Sequence, residues 1–137
     1  MRFSTRLTYG LRALVKLASL WGKGNVSLSK IAKEEKISLY YLERIFMDLK
    51  KNKIVVASKG SLGGYKLAKE PNKITLLEVL NSLEGEVSPF YCIKSDGKVY
   101  CKQKHKCRVA PILLKIQNLI KDNLAKITLE QILKNKI

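Results

Sequence analysis

Three cysteines, Cys92, Cys101 and Cys107, fall within one 16-residue stretch of a 137-residue chain, spaced C-x8-C-x5-C. An odd number of thiols cannot pair fully within one chain, and the chain is expected to be cytoplasmic, where structural disulfides are disfavoured. Metal or redox chemistry is therefore the leading reading. A zinc site built with His105 has the right ligand types, but the C-x2-C knuckle of such sites is absent. An iron-sulfur cluster, 2Fe-2S or 4Fe-4S, needs cysteinate ligands, tolerates a long wrapping loop and accepts a fourth ligand of another kind. His105 ranks first for that place on its chemistry, with Asp96, a group from a partner subunit or an exogenous ligand as the alternatives. Lys94, Lys98, Lys102, Lys104, Lys106 and Arg108 surround the cysteines, and such cations stabilise thiolates. The same features suit a thiol switch or a contact for a partner protein. A Cys107–His105 catalytic pair has no third orienting group beside it, so the chain is not read as an enzyme and no small-molecule substrate is expected.

Residues 37 to 68 would have to place this loop in a functional context. Ser38 is an N-cap, Ile37 and Leu42 can form a hydrophobic staple, and Leu42, Ile45, Phe46 and Leu49 make one apolar stripe. The opposite face carries Tyr40, Tyr41, Glu43, Arg44 and Lys51, donors, acceptors and rings suited to base-pair edges in a major groove. The chain has 22 lysines but only five arginines, so position counts for more than total, and Arg44 is the best candidate for bidentate base reading. Ile54, Val55 and Val56 predict a strand, Gly60, Gly63 and Gly64 a tight turn, and Tyr65, Lys66 and Leu67 the returning strand. Lysines 50, 51, 53, 59 and 66 cluster where phosphates would lie. Before this unit, residues 26 to 36 predict a short amphipathic helix capped by Ser27, which gives helix-turn-helix spacing.

Residues 4 to 21 predict a first helix with Leu7, Leu11, Leu14, Val15, Ala18 and Trp21 on one face. Thr75 and Glu78 predict a capping box that opens a helix stopped by Gly85. Residues 86 to 107 lack helical or strand periodicity. Past Pro111, the apolar residues Ile112, Leu113, Ile116, Leu119, Ile120 and Leu124 predict a long helix that pairs with its copy in a homodimer. Thr128 and Gln131 predict a second capping box for a last short helix. The expected architecture is mainly α with a small β-wing: a winged helix-turn-helix at 1–85, a cysteine loop at 86–107, and a dimerisation helix with a C-terminal helix at 108–137. A net charge of +16 favours a polyanionic partner, and no apolar run approaches the ~18 residues needed to span a bilayer.

The stretches MRFSTRLTYGLRAL, IAKEEKISLYYLERIF, SKGSLGGYKLAK and ITLLEVLNSLEG, followed by three cysteines, resemble the bacterial winged-helix regulators that include IscR, NsrR and CymR, along nearly the whole chain. The resemblance implies a homodimer that binds a roughly palindromic promoter site in double-stranded DNA, probed by Ser38, Tyr40, Tyr41, Glu43 and Arg44. It places Lys59 at a wing position where an arginine is usual; lysine holds a phosphate but forks less well onto a base, which implies weaker minor-groove reading by the wing. It places Cys92, Cys101 and Cys107 where cluster-binding members carry their ligands, with a longer first gap than usual. It implies a transcriptional repressor that senses redox state, nitric oxide or iron-sulfur supply. The chain departs from the pattern at the fourth ligand, with Ala110 where IscR-like members place a histidine and Thr8 where NsrR-like members use an acidic side chain.

Overall fold

Two serines set the geometry of the helix-turn-helix. The side chain of Ser27 accepts from the Lys30 amide at 3.2 Å and starts α2 (Leu28–Glu35), and that of Ser38 accepts from the Tyr41 amide at 3.5 Å and starts α3 (Leu39–Lys51). Between them Lys36 takes the left-handed conformation, φ 55°, which reverses the chain within one residue. The computed structural model describes residues 2–137. Its remaining elements are α1 (Thr5–Ser19), β1 (Val55–Ser58), β2 (Gly64–Leu67), a 3-10 turn at Pro71–Lys73, α4 (Leu76–Glu84), α5 (Ala110–Lys126) and α6 (Leu129–Leu133).

The core lies where α1, α3 and α4 meet. Leu42, Ile45, Phe46 and Leu49, the predicted stripe of α3, are wholly buried, with Leu14, Ile31, Ile74 and Val79 around them. Each such side chain contributes about 1.5–3 kcal/mol by leaving water. The first helix is shorter and differently oriented than its apolar residues predict. It ends at Ser19, and its buried positions are Leu7, Gly10, Ala13, Leu14, Leu17 and Ala18. Leu11 and Val15 lie on its flank, and Trp21 stands beyond the end, 43% exposed. The cause is close packing: a Cβ on Gly10 would sit 2.5 Å from Leu83 Cδ1, so α4 approaches α1 over its smallest residues. Bulk marked the wrong edge of the helix.

The hairpin is antiparallel, pairing Val55 with Leu67 and Ser58 with Gly64, so β1 begins one residue later than expected and runs two residues further. It is also joined to the body. Val26 and Tyr65 exchange two main-chain bonds of 2.8 Å each, and Tyr65 packs edge-to-face on Phe46 with ring centroids 5.1 Å apart. Gly64, at φ +142°, lies so close to this bridge that a Cβ would come within 2.5 Å of the Val26 oxygen.

Both predicted capping boxes are present, and they meet. Thr75 caps α4 with Glu78, Thr128 caps α6 with Gln131, and the two threonines pair in an antiparallel bridge flanked by Leu76 N to Ile127 O (2.8 Å) and Leu129 N to Ile74 O (3.0 Å). Leu129 is thereby sealed into the core.

Candidate functional site

The exposed side of α3 has the composition predicted for it, with one subtraction and one addition. Tyr40 is 70% exposed, and Glu43, Arg44 and Lys51 are exposed as well. Ser38 is exposed with its hydroxyl engaged as the N-cap. Tyr41, expected on the same free face, is instead half-buried and packs edge-to-face on Tyr9 with centroids 5.9 Å apart, so α1 fixes its ring. Met47 is 66% exposed and shares the face with Tyr40, Glu43, Arg44 and Lys51, at the helical spacing 40, 43, 44, 47, 51. Sequence reasoning passed over it because methionine reads as core, although its spacing marked it. Lys59 and Lys66 stand exposed on the wing.

Behind this face two ion pairs fasten α1 to α2. Arg12 bonds the Glu35 carboxylate at 3.2 Å and also the Glu35 carbonyl, and Lys16 meets Glu34 at 2.6 Å. Arg6 of α1 pairs with Asp48 near the end of α3. The cations of α1 are thus taken up in holding α2 and α3.

The cysteine loop has more structure than its lack of periodicity predicts. Ile93 and Val99 pair across a small hairpin, with Tyr100 N to Cys92 O at 2.8 Å, Lys94 N to Lys98 O at 2.9 Å, and Gly97 at φ +85° in the turn. Alternation gives it two sides: Ile93 is buried, whereas Lys94, Lys98 and Tyr100 face outward, the Lys94 ammonium 4.1 Å from the Tyr100 ring centroid. The hairpin sits on α5, where the wholly buried Gln117 donates to Lys94 O and Lys121 donates to Ser95 O, each at 2.7 Å. Short-range pattern could not disclose this docking, because its polar anchors come from a helix 23 residues away in sequence.

Cys92, Cys101 and Cys107 are all free thiols and all half-buried. Cys101 and His105 line one open depression of about 570 Å³ together with Lys98, Tyr100 and Lys102. Among the described residues, however, no group of three or more His, Cys, Asp or Glu side chains is gathered closely enough to hold a metal ion. The donor types fit an iron-sulfur cluster, while their arrangement here does not assemble its ligand set. Asp96, the other candidate ligand, is engaged: it accepts from the Lys98 amide at 2.9 Å, which holds its carboxyl below the usual range, assisted by Lys98 Nζ at 3.4 Å. Ala110 is buried at the start of α5, and Thr8 Oγ1 is turned to the Thr5 carbonyl at 3.0 Å, so neither departure from the family pattern is made good in place.

A capped helix-turn-helix, a polar and exposed second helix and a hairpin bonded to the body define a winged-helix DNA-binding protein. The chain belongs to the Rrf2 family, described as iron-dependent transcriptional regulators, whose model matches residues 3–135. It is therefore a transcriptional regulator and not an enzyme, as expected. It is 31% identical over 132 residues to the HTH-type transcriptional regulator CymR of Bacillus subtilis, covering 96% of this chain and 89% of that protein. It is also 31% identical over 136 residues to the regulator IscR of Pectobacterium atrosepticum, covering 99% and 81%. Among solved structures it is similar to CymR (YrzC), the global cysteine regulator of B. subtilis, with TM-score 0.79, 30% identity and 98% of each chain covered. It is similar as well to T. potens IscR, with TM-score 0.74, 31% identity and coverage of 100% and 89%. Among the described residues no helix is long and apolar enough to cross a membrane.

Proposed function

We propose that the chain is a promoter-binding repressor, active as a homodimer, whose affinity for a roughly palindromic DNA site is set by the state of its cysteine loop. One observation carries this reading: the hairpin that bears Cys92 and leads to Cys101 is bonded through Gln117 and Lys121 to α5. That helix leaves Ile112, Ile116 and Leu119 exposed, at 51%, 39% and 52%. An apolar helical stripe of this kind fits a second copy of the helix, and a loop fastened to it can bias the spacing of two reading heads.

Base reading falls to Tyr40, Glu43 and Arg44, with Met47 available to a thymine methyl, and phosphate contacts to Lys51 and Lys59. Ser38 and Tyr41 act by holding the start of α3. The loop's controlling state is an iron-sulfur cluster, supported by three thiols amid cations and by the family's description as iron-dependent. Cys92, Cys101 and Cys107 would hold it, and it would supply a centre that reacts with oxidants or nitric oxide. His105, which lines the same depression as Cys101, is the fourth ligand of choice on its chemistry. A second reading, a metal-free thiol switch or partner contact, is favoured by the ungathered thiols and by the likeness to CymR.

Protein purified without oxygen, analysed for iron, sulfide and visible absorption, tests the choice. Matched iron and sulfide with sulfur-to-iron charge-transfer bands, lost in the triple serine variant, support the cluster. A colourless protein that stays iron-free after reconstitution, yet changes its DNA affinity on peroxide treatment, supports the thiol switch. No change of affinity with any cysteine state would remove the loop from the mechanism.

A further inference from the structure

Leu62, at the tip of the wing, is 89% exposed, more than any other leucine of the described chain. A single exposed leucine is unremarkable where the backbone is loose. Here the backbone on both sides of it is fixed. Gly60 sits at φ +97° and accepts at its carbonyl from the Gly63 amide at 2.9 Å. A Cβ on Gly63 would lie 2.4 Å from the Ser58 oxygen, so the turn closes only over glycine. The Leu62 carbonyl accepts from Asn25 Nδ2 at 3.2 Å, which ties the tip to the segment before α2. The side chain is therefore held outward by its own turn, and no part of the fold covers it.

Cations stand by the same turn. Lys59 precedes it, and Lys23 and Lys30 line the cleft that Ser61, Leu62 and Gly63 share with the start of α2. An aliphatic group projecting beside lysines suits a minor groove, with phosphates at the rims and sugar and base edges at the floor. Leucine is among the side chains that proteins insert between base steps there.

We propose that Leu62 is a DNA-contacting residue of the wing, an apolar wedge that enters the minor groove beside the major-groove site of α3. The inference rests on the DNA-binding reading above. It makes the wing selective by deformability: a pyrimidine–purine step, which unstacks readily, is the preferred sequence beneath it. Lys59, exposed on the wing, then anchors a rim phosphate.

The test uses the full chain and a duplex selected by the wild-type protein from a random pool, alongside a scrambled duplex. Leu62→Ser is expected to weaken binding at least about tenfold, as loss of a buried leucine contact implies. Its salt slope stays that of the wild type, because an apolar contact releases no counterion. Lys59→Ala should instead lower the slope by about one. 2-Aminopurine placed along the site should brighten beneath the wing with wild type and with Leu62→Met, and stay dark with Leu62→Ser. Wild-type affinity in Leu62→Ser, a changed slope, or 2-aminopurine dark throughout would overturn the wedge and leave Leu62 free for a protein partner. A wild-type protein that does not prefer the selected duplex over the scrambled one would instead overturn the DNA-binding reading itself.

Discussion

Gln117 Nε2 donates to the main-chain oxygen of Lys94 at 2.7 Å, and the same amide's Oε1 is buried without a partner. An orphaned buried acceptor costs about 1–3 kcal/mol, so a leucine would suit the middle of α5 better if packing were the only demand. The glutamine is there for the hairpin. In Gln117→Leu the lost bond and the removed orphan offset each other, and global stability should stay within about 1 kcal/mol of the parent. Amide exchange at Lys94, Gly97 and Tyr100, which close the hairpin, should quicken by about an order of magnitude. Unchanged exchange would mean that Ile93 alone pins the loop.

Glu78 gives a pH signature. Burial pushes its carboxyl up, but bonds from Lys69 Nζ (2.6 Å), the Thr75 amide (2.7 Å) and the Thr75 hydroxyl (3.0 Å) outweigh this and hold it below the ordinary 4.5. A carboxyl lowered in the folded state stabilises fully above its unfolded value, and that stabilisation is lost as pH falls through the folded one. Urea midpoints measured from about pH 6 down to about pH 3 should therefore fall less steeply for Glu78→Gln than for the parent. The slope that remains belongs to groups such as Glu34 and Asp96, held low by Lys16 and by the Lys98 amide. An identical acid limb in both proteins would show that Glu78 carries none of it.

The paired threonines should couple. Thr75→Ala and Thr128→Ala each remove a capping hydroxyl, worth about 1 kcal/mol. Because the two caps share a main-chain bridge, the double variant should depart from the sum by about 0.5 kcal/mol or more. Denaturant unfolding of the four proteins measures this, and strict additivity would mean that the bridge holds without its caps.

Glu43 and Lys51 separate base reading from charge. Glu43→Ala should narrow the gap between selected and scrambled duplexes, by about 1–3 kcal/mol if it reads a base. Lys51→Ala should weaken both duplexes alike and lower the salt slope by about one. Anisotropy titrations across salt distinguish the two, and equal effects would remove Glu43 from recognition.

The parts of the fold that rest on local chemistry were readable in the sequence: the serine caps, the glycine turn of the wing, both capping boxes and the stripe of α3. What escaped depended on shape at a distance. Gly10 recruits α4 by being small, which a hydrophobicity pattern records as a gap, and so the buried face of α1 was misplaced toward Trp21. Tyr41 reads as a free ring until Tyr9 is brought against it. Cysteine spacing pointed to thiol chemistry but carries no information about whether the three sulfurs converge, which depends on where α5 holds the hairpin.

The bridge between Val26 and Tyr65 has a mechanical consequence. With Tyr65 bonded to the segment before α2 and packed on Phe46 of α3, the wing has no hinge of its own against the recognition helix. The helix α3 and the wing form one piece of fixed gauge, like the jaws of a caliper locked by a screw. In the homodimer proposed above, a signal from the cysteine loop would have no purchase on that gauge. It would act on the pitch between heads, and the variable matched by an operator would be the number of base pairs between its halves.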